Sequence, residues 1–380
     1  MRNNLLKSMR MIATVAACSL VFAGLGVGCG KNAKTQTVPT SQGEVASKPA
    51  QELLWVNASE LFVEGKGWET EKPFVRLPDR AQALVTEKVW VQSQYSTGMA
   101  VRFTTNSKEI HARWPGGGAL RNMAAIGVSG LDLYERVPGA EGKQAWQWVA
   151  VGKPDPKPME QKLNIFEEEK ERDLLLFLPL YTKCPSLEIG VLPGSTFEQP
   201  QKERTQKPIV FYGTSIVAGG CASRTGMAHT SILRRWLDHE VINLGFSGAG
   251  SMEIEIADLL GELDPSVIVI DTLPNTTTPQ LEERYVPFIR RVREKHPDIP
   301  LLLVGHILGD KLPDRQAALE KALAQLESEG LTNYVYLPGG ELIAGQEEGT
   351  VDGTHPTDLG FLRMAEVHYP ILKDMLDRTE

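Results

Sequence analysis

Cysteine is scarce in this 380-residue chain, which has four: Cys18, Cys29, Cys184 and Cys221. Two of them fall within the first 29 residues, so no disulfide framework staples the remainder. Cys184 and Cys221 leave two readings open, one bridge in an oxidising compartment or two free thiols. No Cys-x-x-Cys pair and no His-Glu-x-x-His occurs, so no metal site is announced and no cofactor is expected. Positive charge is also short, with 40 Lys and Arg against 48 Asp and Glu and a net charge of −8. Three of the basic residues, Arg2, Lys7 and Arg10, lie in the first 28, which hold no acid, so the chain beyond residue 28 is more acidic still. Such a chain lacks the basic footprint of a nucleic-acid binder, and none is expected as partner. Beyond residue 28 no apolar run is long enough to span a bilayer. A 42% hydrophobic, 23% charged composition is that of an ordinary globular protein, long enough for two domains.

The first 28 residues carry the layout of a secretory signal peptide: a basic start, an uncharged apolar run over 11–25, then Gly26, Val27 and Gly28. Cys29 comes at once, and Leu25-Gly26-Val27-Gly28-Cys29 resembles the lipobox at which bacterial lipoproteins are acylated. Export is expected, with Cys29 as the candidate lipidation site, in the cell envelope if it is lipidated and secreted otherwise. Residues 29–52 are rich in Ser, Thr, Pro, Lys and Gln without apolar period and read as a flexible tether. A lipid there would be the chain's sole link to a membrane.

From 53 to 200 the texture is β. Val89-Trp90-Val91, Ala100-Val101-Arg102-Phe103, Ile110-His111-Ala112-Arg113-Trp114, Trp146-Gln147-Trp148-Val149, 174–178 and 187–191 are short runs parted by Gly and Pro clusters. Strands at that spacing, with no convincing helix among them, predict an antiparallel β-sandwich. Residues 197–207 are polar, contain Pro200, and read as a link.

From 206 to 380 the rhythm changes. Apolar strands (Pro208-Ile209-Val210-Phe211-Tyr212, Val241-Ile242-Asn243-Leu244, Val267-Ile268-Val269-Ile270, Leu301-Leu302-Leu303-Val304, Tyr334-Val335-Tyr336-Leu337) alternate with amphipathic helices over 231–238, 253–262, 280–295, 315–328 and 358–376. That alternation predicts an α/β domain: a parallel sheet with helices on both faces, binding ligands at the carboxyl ends of its strands.

The residues after each strand therefore matter most. The first strand leads into Gly213-Thr214-Ser215-Ile216, a serine displayed on a turn before a helix; alone it could be a helix cap. The second leads into Asn243-Leu244-Gly245-Phe246-Ser247-Gly248-Ala249-Gly250, whose glycines let backbone N–H groups approach a ligand; alone it could be a tight loop. After the third comes Asp271-Thr272-Leu273-Pro274-Asn275, where Asn275 could donate into the same cleft or close an Asx turn. After the fifth comes Asp352-Gly353-Thr354-His355-Pro356, in which Asp352 can orient the His355 ring and leave its other nitrogen to take a proton from a hydroxyl. Each element alone is ordinary loop chemistry, but all four fall on one edge of one sheet.

This order resembles the SGNH (GDSL-like) hydrolase family, whose four blocks supply Ser, Gly, Asn and His. The resemblance implies a flavodoxin-like three-layer fold and an ester hydrolase, with Ser215 as nucleophile, His355 as base and Asp352 as its orienting partner. It also implies an oxyanion hole from the Ser215 and Gly248 N–H groups and the Asn275 amide. Two departures lie beside the site: Gly-Thr-Ser stands where Gly-Asp-Ser is usual, and Leu273-Pro274-Asn275-Thr276 where Gly-x-Asn-Asp is usual. These variant blocks, with Gly130-Leu131-Asp132-Leu133-Tyr134, look like the two-domain bacterial subgroup whose N-terminal β-domain carries Gly-x-Asp-Leu-Tyr. Kinship with that subgroup implies acylated small molecules or polysaccharides as substrates, carbohydrate acetyl esters first. Simple aryl or lipid esters, or glycan binding without catalysis, are the alternatives. Thr214, Arg224 and His306 are candidate substrate contacts, and Asp132 and Tyr134 could reach over the site.

Overall fold

Alternating apolar residues in the first part of the chain fold into two antiparallel sheets in the computed structural model, which describes residues 52–378 apart from 141–142, 158, 200–205 and 344–346. The expected leader, Cys29 and the tether up to residue 51 lie outside the described residues. The strands are β1 (Leu54–Asn57), β2 (Val63–Glu64), β3 (Ala100–Thr105), β4 (Glu109–Trp114), β5 (Leu131–Pro138), β6 (Gln144–Gly152), β7 (Met159–Ile165), β8 (Arg172–Phe177) and β9 (Glu188–Val191). They pair in the orders β1-β9-β4-β7 and β2-β3-β8-β5-β6, antiparallel throughout. Between the sheets lies one core, with Val101, Phe103, Leu131, Leu133, Leu174 and Leu176 from one face and Ile110, Ala112, Trp114, Ile189 and Val191 from the other. Burying each such large side chain contributes roughly 1.5–3 kcal/mol, which is why the period-two pattern decides the register.

One expected strand is a helix. Val89-Trp90-Val91 lies in α1 (Glu87–Ser93), started by Thr86, whose hydroxyl accepts from the Val89 N–H at 3.3 Å. Three apolar residues in a row do not separate a period of 2 from one of 3.6, and the cap won. A second short helix, α2 (Ala125–Ser129), also interrupts the β texture. Phe197, read as the start of the link, instead belongs to the sandwich: its ring stacks on Phe103 at 5.1 Å, and Glu198 bridges to Thr104.

The second part alternates as expected: β10 (Ile209–Gly213), α3 (His229–Leu237), β11 (Val241–Gly245), α4 (Ile254–Leu260), β12 (Val267–Asp271), α5 (Thr278–Lys295), β13 (Leu301–Val304), α6 (Pro313–Ser328), β14 (Tyr334–Leu337) and α7 (Asp358–Asp377). The sheet is parallel in the order β11-β10-β12-β13-β14, the flavodoxin-like order 2-1-3-4-5. Val210, Tyr212, Ile268, Ile270, Leu301 and Leu303 face α4, α5 and α6. Ile209, Phe211, Val267, Val269, Leu302 and Val304 face α3 and α7. No helix of the described residues is long and apolar enough to cross a membrane.

The two parts share buried surface. Leu77, Ala81 and Val89 of α1 and its approach pack into the same core as Val210 and Tyr212. Arg234 on α3 and Glu64 on β2 form an ion pair in which both side chains are 1% exposed. Asp132 and Tyr134 of β5 hold the segment after the serine turn through Arg224.

Candidate active site

Ser215 sits on the turn that leaves β10 and is 6% exposed. The segment after it is a run of turn bonds, Ala218 N–H to Thr214 O at 3.0 Å and Gly220 N–H to Ser215 O at 2.7 Å, and α3 begins at His229, close to the expected start at 231. Ser215 Oγ lies 2.9 Å from His355 Nε2. On the far side of the ring, Nδ1 lies 2.9 Å from Asp352 Oδ2 and 3.1 Å from Oδ1. A carboxylate there fixes the proton on Nδ1, so Nε2 keeps the lone pair that the Ser215 hydroxyl donates to. Asp352 Oδ1 also accepts from the His355 N–H at 2.9 Å and the Thr354 N–H at 3.2 Å. Partial burial alone would raise the Asp352 carboxyl; the His355 N–H, the His355 ring and the Thr354 N–H outweigh it and hold the group at about 2. Asp352 is thus a carboxylate at any pH where the imidazole could act as a base.

Two candidate oxyanion donors are open. The backbone N–H groups of Ser215 and Gly248 have no acceptor among the described residues. Gly248 holds φ +59°, a left-handed conformation that glycine adopts without strain. Asn275 is arranged differently from the expectation. Its Nδ2 donates to the carbonyls of Phe246 (3.2 Å) and Ala249, so the amide braces the loop that carries Gly248 rather than presenting a free donor.

The remaining expected contacts resolve one by one. Thr214 is fully buried, with its hydroxyl accepting from the Ile216 N–H at 3.2 Å, so its side chain lies beneath the turn and not on the surface that a substrate meets. The Arg224 guanidinium donates to Asp132 Oδ2 at 2.7 Å and to the Tyr134 hydroxyl at 2.6 Å, and lies over the Trp148 ring at 5.2 Å. These contacts tie it to the junction between the two parts. Asp132 is fully buried and also accepts from the Gly226 N–H at 2.8 Å and Trp148 Nε1 at 2.9 Å. A side chain at 226 would strike the Tyr134 hydroxyl at 2.4 Å, so this approach demands glycine. The Gly-x-Asp-Leu-Tyr stretch therefore clamps the segment after the serine turn instead of covering the site. His306 is 6% exposed, its Nδ1 accepts from the Leu308 N–H at 3.0 Å, and burial together with Arg315 lowers it to about 4. It shares no hydrogen bond with Ser215 or His355 among the described residues. Cys184 and Cys221 are both free thiols.

Five residues that reach this region from the sandwich part carry no motif. The Tyr181 hydroxyl donates to the Ser215 carbonyl at 3.1 Å, and burial pushes its phenol up, keeping it a donor. Asn122 Nδ2 lies 3.4 Å from Asp352 Oδ2. Gln92 donates to the Ser247 carbonyl at 2.8 Å and accepts from the Ser247 N–H. Arg76, 2% exposed, donates to the carbonyls of Gly245 (2.6 Å) and Asn243 (3.2 Å) with its guanidinium over the Phe246 ring. Lys88 donates to the Gly248 carbonyl at 2.8 Å. The loop bearing the open Gly248 N–H is thus held by its carbonyls from the neighbouring part.

Family models match both parts: residues 206–373 fit the GDSL-like lipase/acylhydrolase family, and residues 53–197 fit the N-terminus of SGNH-hydrolase-type esterases. A GDSL-like lipase from Bacteroides ovatus is 32% identical, with a TM-score of 0.80 over 86% of this chain and 98% of that one. The salicylyl-acyltransferase SsfX3 of a tetracycline biosynthetic pathway is 18% identical, with a TM-score of 0.69 over 85% of this chain and 97% of that one. The acetyl xylan esterase Est2A of Butyrivibrio proteoclasticus is 12% identical, with a TM-score of 0.56 over 86% of this chain and all of that one (100%). These last two share the fold. No curated protein matches the chain.

Proposed function

The chain belongs to the GDSL-like lipase/acylhydrolase family, and from that premise we propose that it hydrolyses short-chain esters, acetyl groups on carbohydrates first, through an acyl-Ser215 intermediate. The observation that carries this reading is the unbroken relay from Ser215 Oγ to His355 Nε2 (2.9 Å) and from His355 Nδ1 to Asp352 (2.9 Å). His355 takes the Ser215 proton as Oγ bonds to the ester carbonyl carbon. The oxyanion so formed meets the Ser215 and Gly248 N–H groups, and His355 returns the proton to the departing alcohol as the C–O bond breaks. Water repeats the cycle on the acyl-serine and releases the acid. Each oxyanion donor is worth about 2.7–4 kcal/mol of barrier, so two open N–H groups account for a large share of the expected acceleration.

A methyl at Gly220 would lie 2.9 Å from the Tyr181 hydroxyl and 3.4 Å from the His355 ring, so the nucleophile turn packs closely against the relay at a glycine. Carbohydrate esters also suit the exported placement that we propose for the chain, in the envelope if Cys29 is lipidated and secreted otherwise, and the shared fold includes an acetyl xylan esterase. A panel of acetylated sugars against longer acyl and aryl esters tests the substrate class. Higher kcat/KM on the sugar acetates is expected; a preference rising with acyl length would overturn the short-chain reading.

A further inference from the structure

The steps of ester hydrolysis leave one reactive group beside the relay unused. The Cys221 thiol, one ring nitrogen of His355 and one carboxylate oxygen of Asp352 all lie within 4.8 Å of one another. Cys221 is a free, half-buried thiol. Its backbone holds φ +75°, an uncommon conformation for a residue with a side chain, in the turn that also carries Ser215. The thiol thus arrives from the nucleophile turn and the other two donors from the loop before α7. No spacing in the sequence announces them, because residues 221 and 352 meet only in the fold.

Sulfur, imidazole nitrogen and carboxylate oxygen form a donor set that suits zinc and other thiophilic cations, whereas magnesium and calcium favour all-oxygen shells. Three protein donors leave a fourth tetrahedral position for water. Bonds of about 2.0–2.3 Å require the three atoms to draw closer together. Asp352 and Gly353 are exposed, and the space around Gly353 is open, so the loop has room to close. We propose that Cys221, Asp352 and His355 form an inhibitory site for a thiophilic divalent cation, zinc foremost, which rests on the esterase reading of the same residues. On binding, the thiol releases its proton to water and the sulfur bonds the ion; nothing is oxidised or reduced. If the ion takes Nε2, the basic lone pair is gone. If it takes Nδ1, the ring proton moves to Nε2, which then donates to Ser215 instead of accepting from it. Either way His355 no longer removes the serine proton.

The test is a zinc titration of the full chain, kept reduced with a phosphine, while it hydrolyses a short-chain acetate. Wild type is expected to lose activity progressively and regain it with a chelator. Cys221→Ala is expected to stay active without zinc and to need at least about 100-fold more zinc for the same loss, since even an outer partner of a metal ligand is worth about 10–100-fold in affinity. Cys221→Gly, at ease with a positive φ, is the second variant should alanine misfold. Binding is read separately with cobalt(II), whose thiolate charge-transfer band is expected in wild type and in Ser215→Ala and absent in Cys221→Ala. Were no form to hydrolyse the ester, the esterase reading would fail while the cobalt band still decided the site. Zinc inhibition equal in wild type and Cys221→Ala, or no thiolate band in wild type, overturns the proposal.

Discussion

Gln92 grips the peptide of Ser247 on both sides, donating to its carbonyl at 2.8 Å and accepting from its N–H, one residue before Gly248. A side-chain amide that matches a peptide in this way acts as one rung of a sheet between the two parts of the molecule. Gln92→Ala frees that peptide and, through it, the orientation of the Gly248 N–H. Turnover is expected to fall by tens-fold, bounded by the roughly 10²–10³-fold that loss of a whole oxyanion donor costs, with KM little changed. Unchanged kcat with a raised KM would mean that Gln92 serves binding instead of loop position.

Asp132 is fully buried beneath Arg224, Gly226 and Trp148. Burial pushes its carboxyl up, against the opposing pull of Arg224, the Gly226 N–H and Arg235. Asp132→Ala strands a backbone N–H and a half-exposed guanidinium that water still reaches, at a cost below the roughly 3–5 kcal/mol of breaking a fully buried pair. The denaturant midpoint should drop accordingly, and Arg224→Ala should drop it too. A stability within experimental error of wild type for both would show that the clamp holds nothing.

Much of this arrangement was legible in the sequence, and the limits have physical causes. The five parallel strands announce themselves because four of them are buried on both faces and the edge strand β14 is half-buried, so all five are apolar almost throughout. Asp352 and His355 are legible because their contact is local, within one loop. Gln92, Arg76 and Asn122 are not, since they act across 155, 169 and 230 residues of separation with no local pattern to show it. Tyr181 likewise reaches Ser215 from the other part of the molecule, 34 residues away. Thr214 and Arg224 drew attention by standing near the nucleophile in sequence. On a tight turn, however, the neighbour of an outward side chain points inward, and Arg224 faces β5.

Asp271, at the carboxyl end of β12 and opposite Gly213 in the sheet, is raised to about 7 by burial. Its folded value thus lies above its unfolded one of about 3.9. The neutral acid's contribution is fully present below about pH 4 and is lost as pH rises toward 7, on the order of 4 kcal/mol in all. Asp271→Asn, neutral at every pH, should match wild type near pH 4 and exceed it in stability at pH 8. Equal denaturant midpoints for the two proteins at pH 8 would contradict the burial argument.

Asp352→Asn replaces the acceptor that fixes the His355 tautomer. The amide can donate to Nδ1 and so leave the ring proton on Nε2, where it faces Ser215. Folding should be little affected, because Asp352 is exposed, while turnover drops by up to about 10⁴-fold, as the same change does in a serine protease. Wild-type turnover would reduce Asp352 to a loop residue.

The most direct measurement of the central claim is hydrolysis of a chromogenic short-chain acetate by the protein beside its Ser215→Ala variant, with the folding of both tracked by circular dichroism. Turnover in the parent and its loss in an equally folded variant is the predicted result. Comparable turnover in both would contradict the assignment of Ser215 as nucleophile.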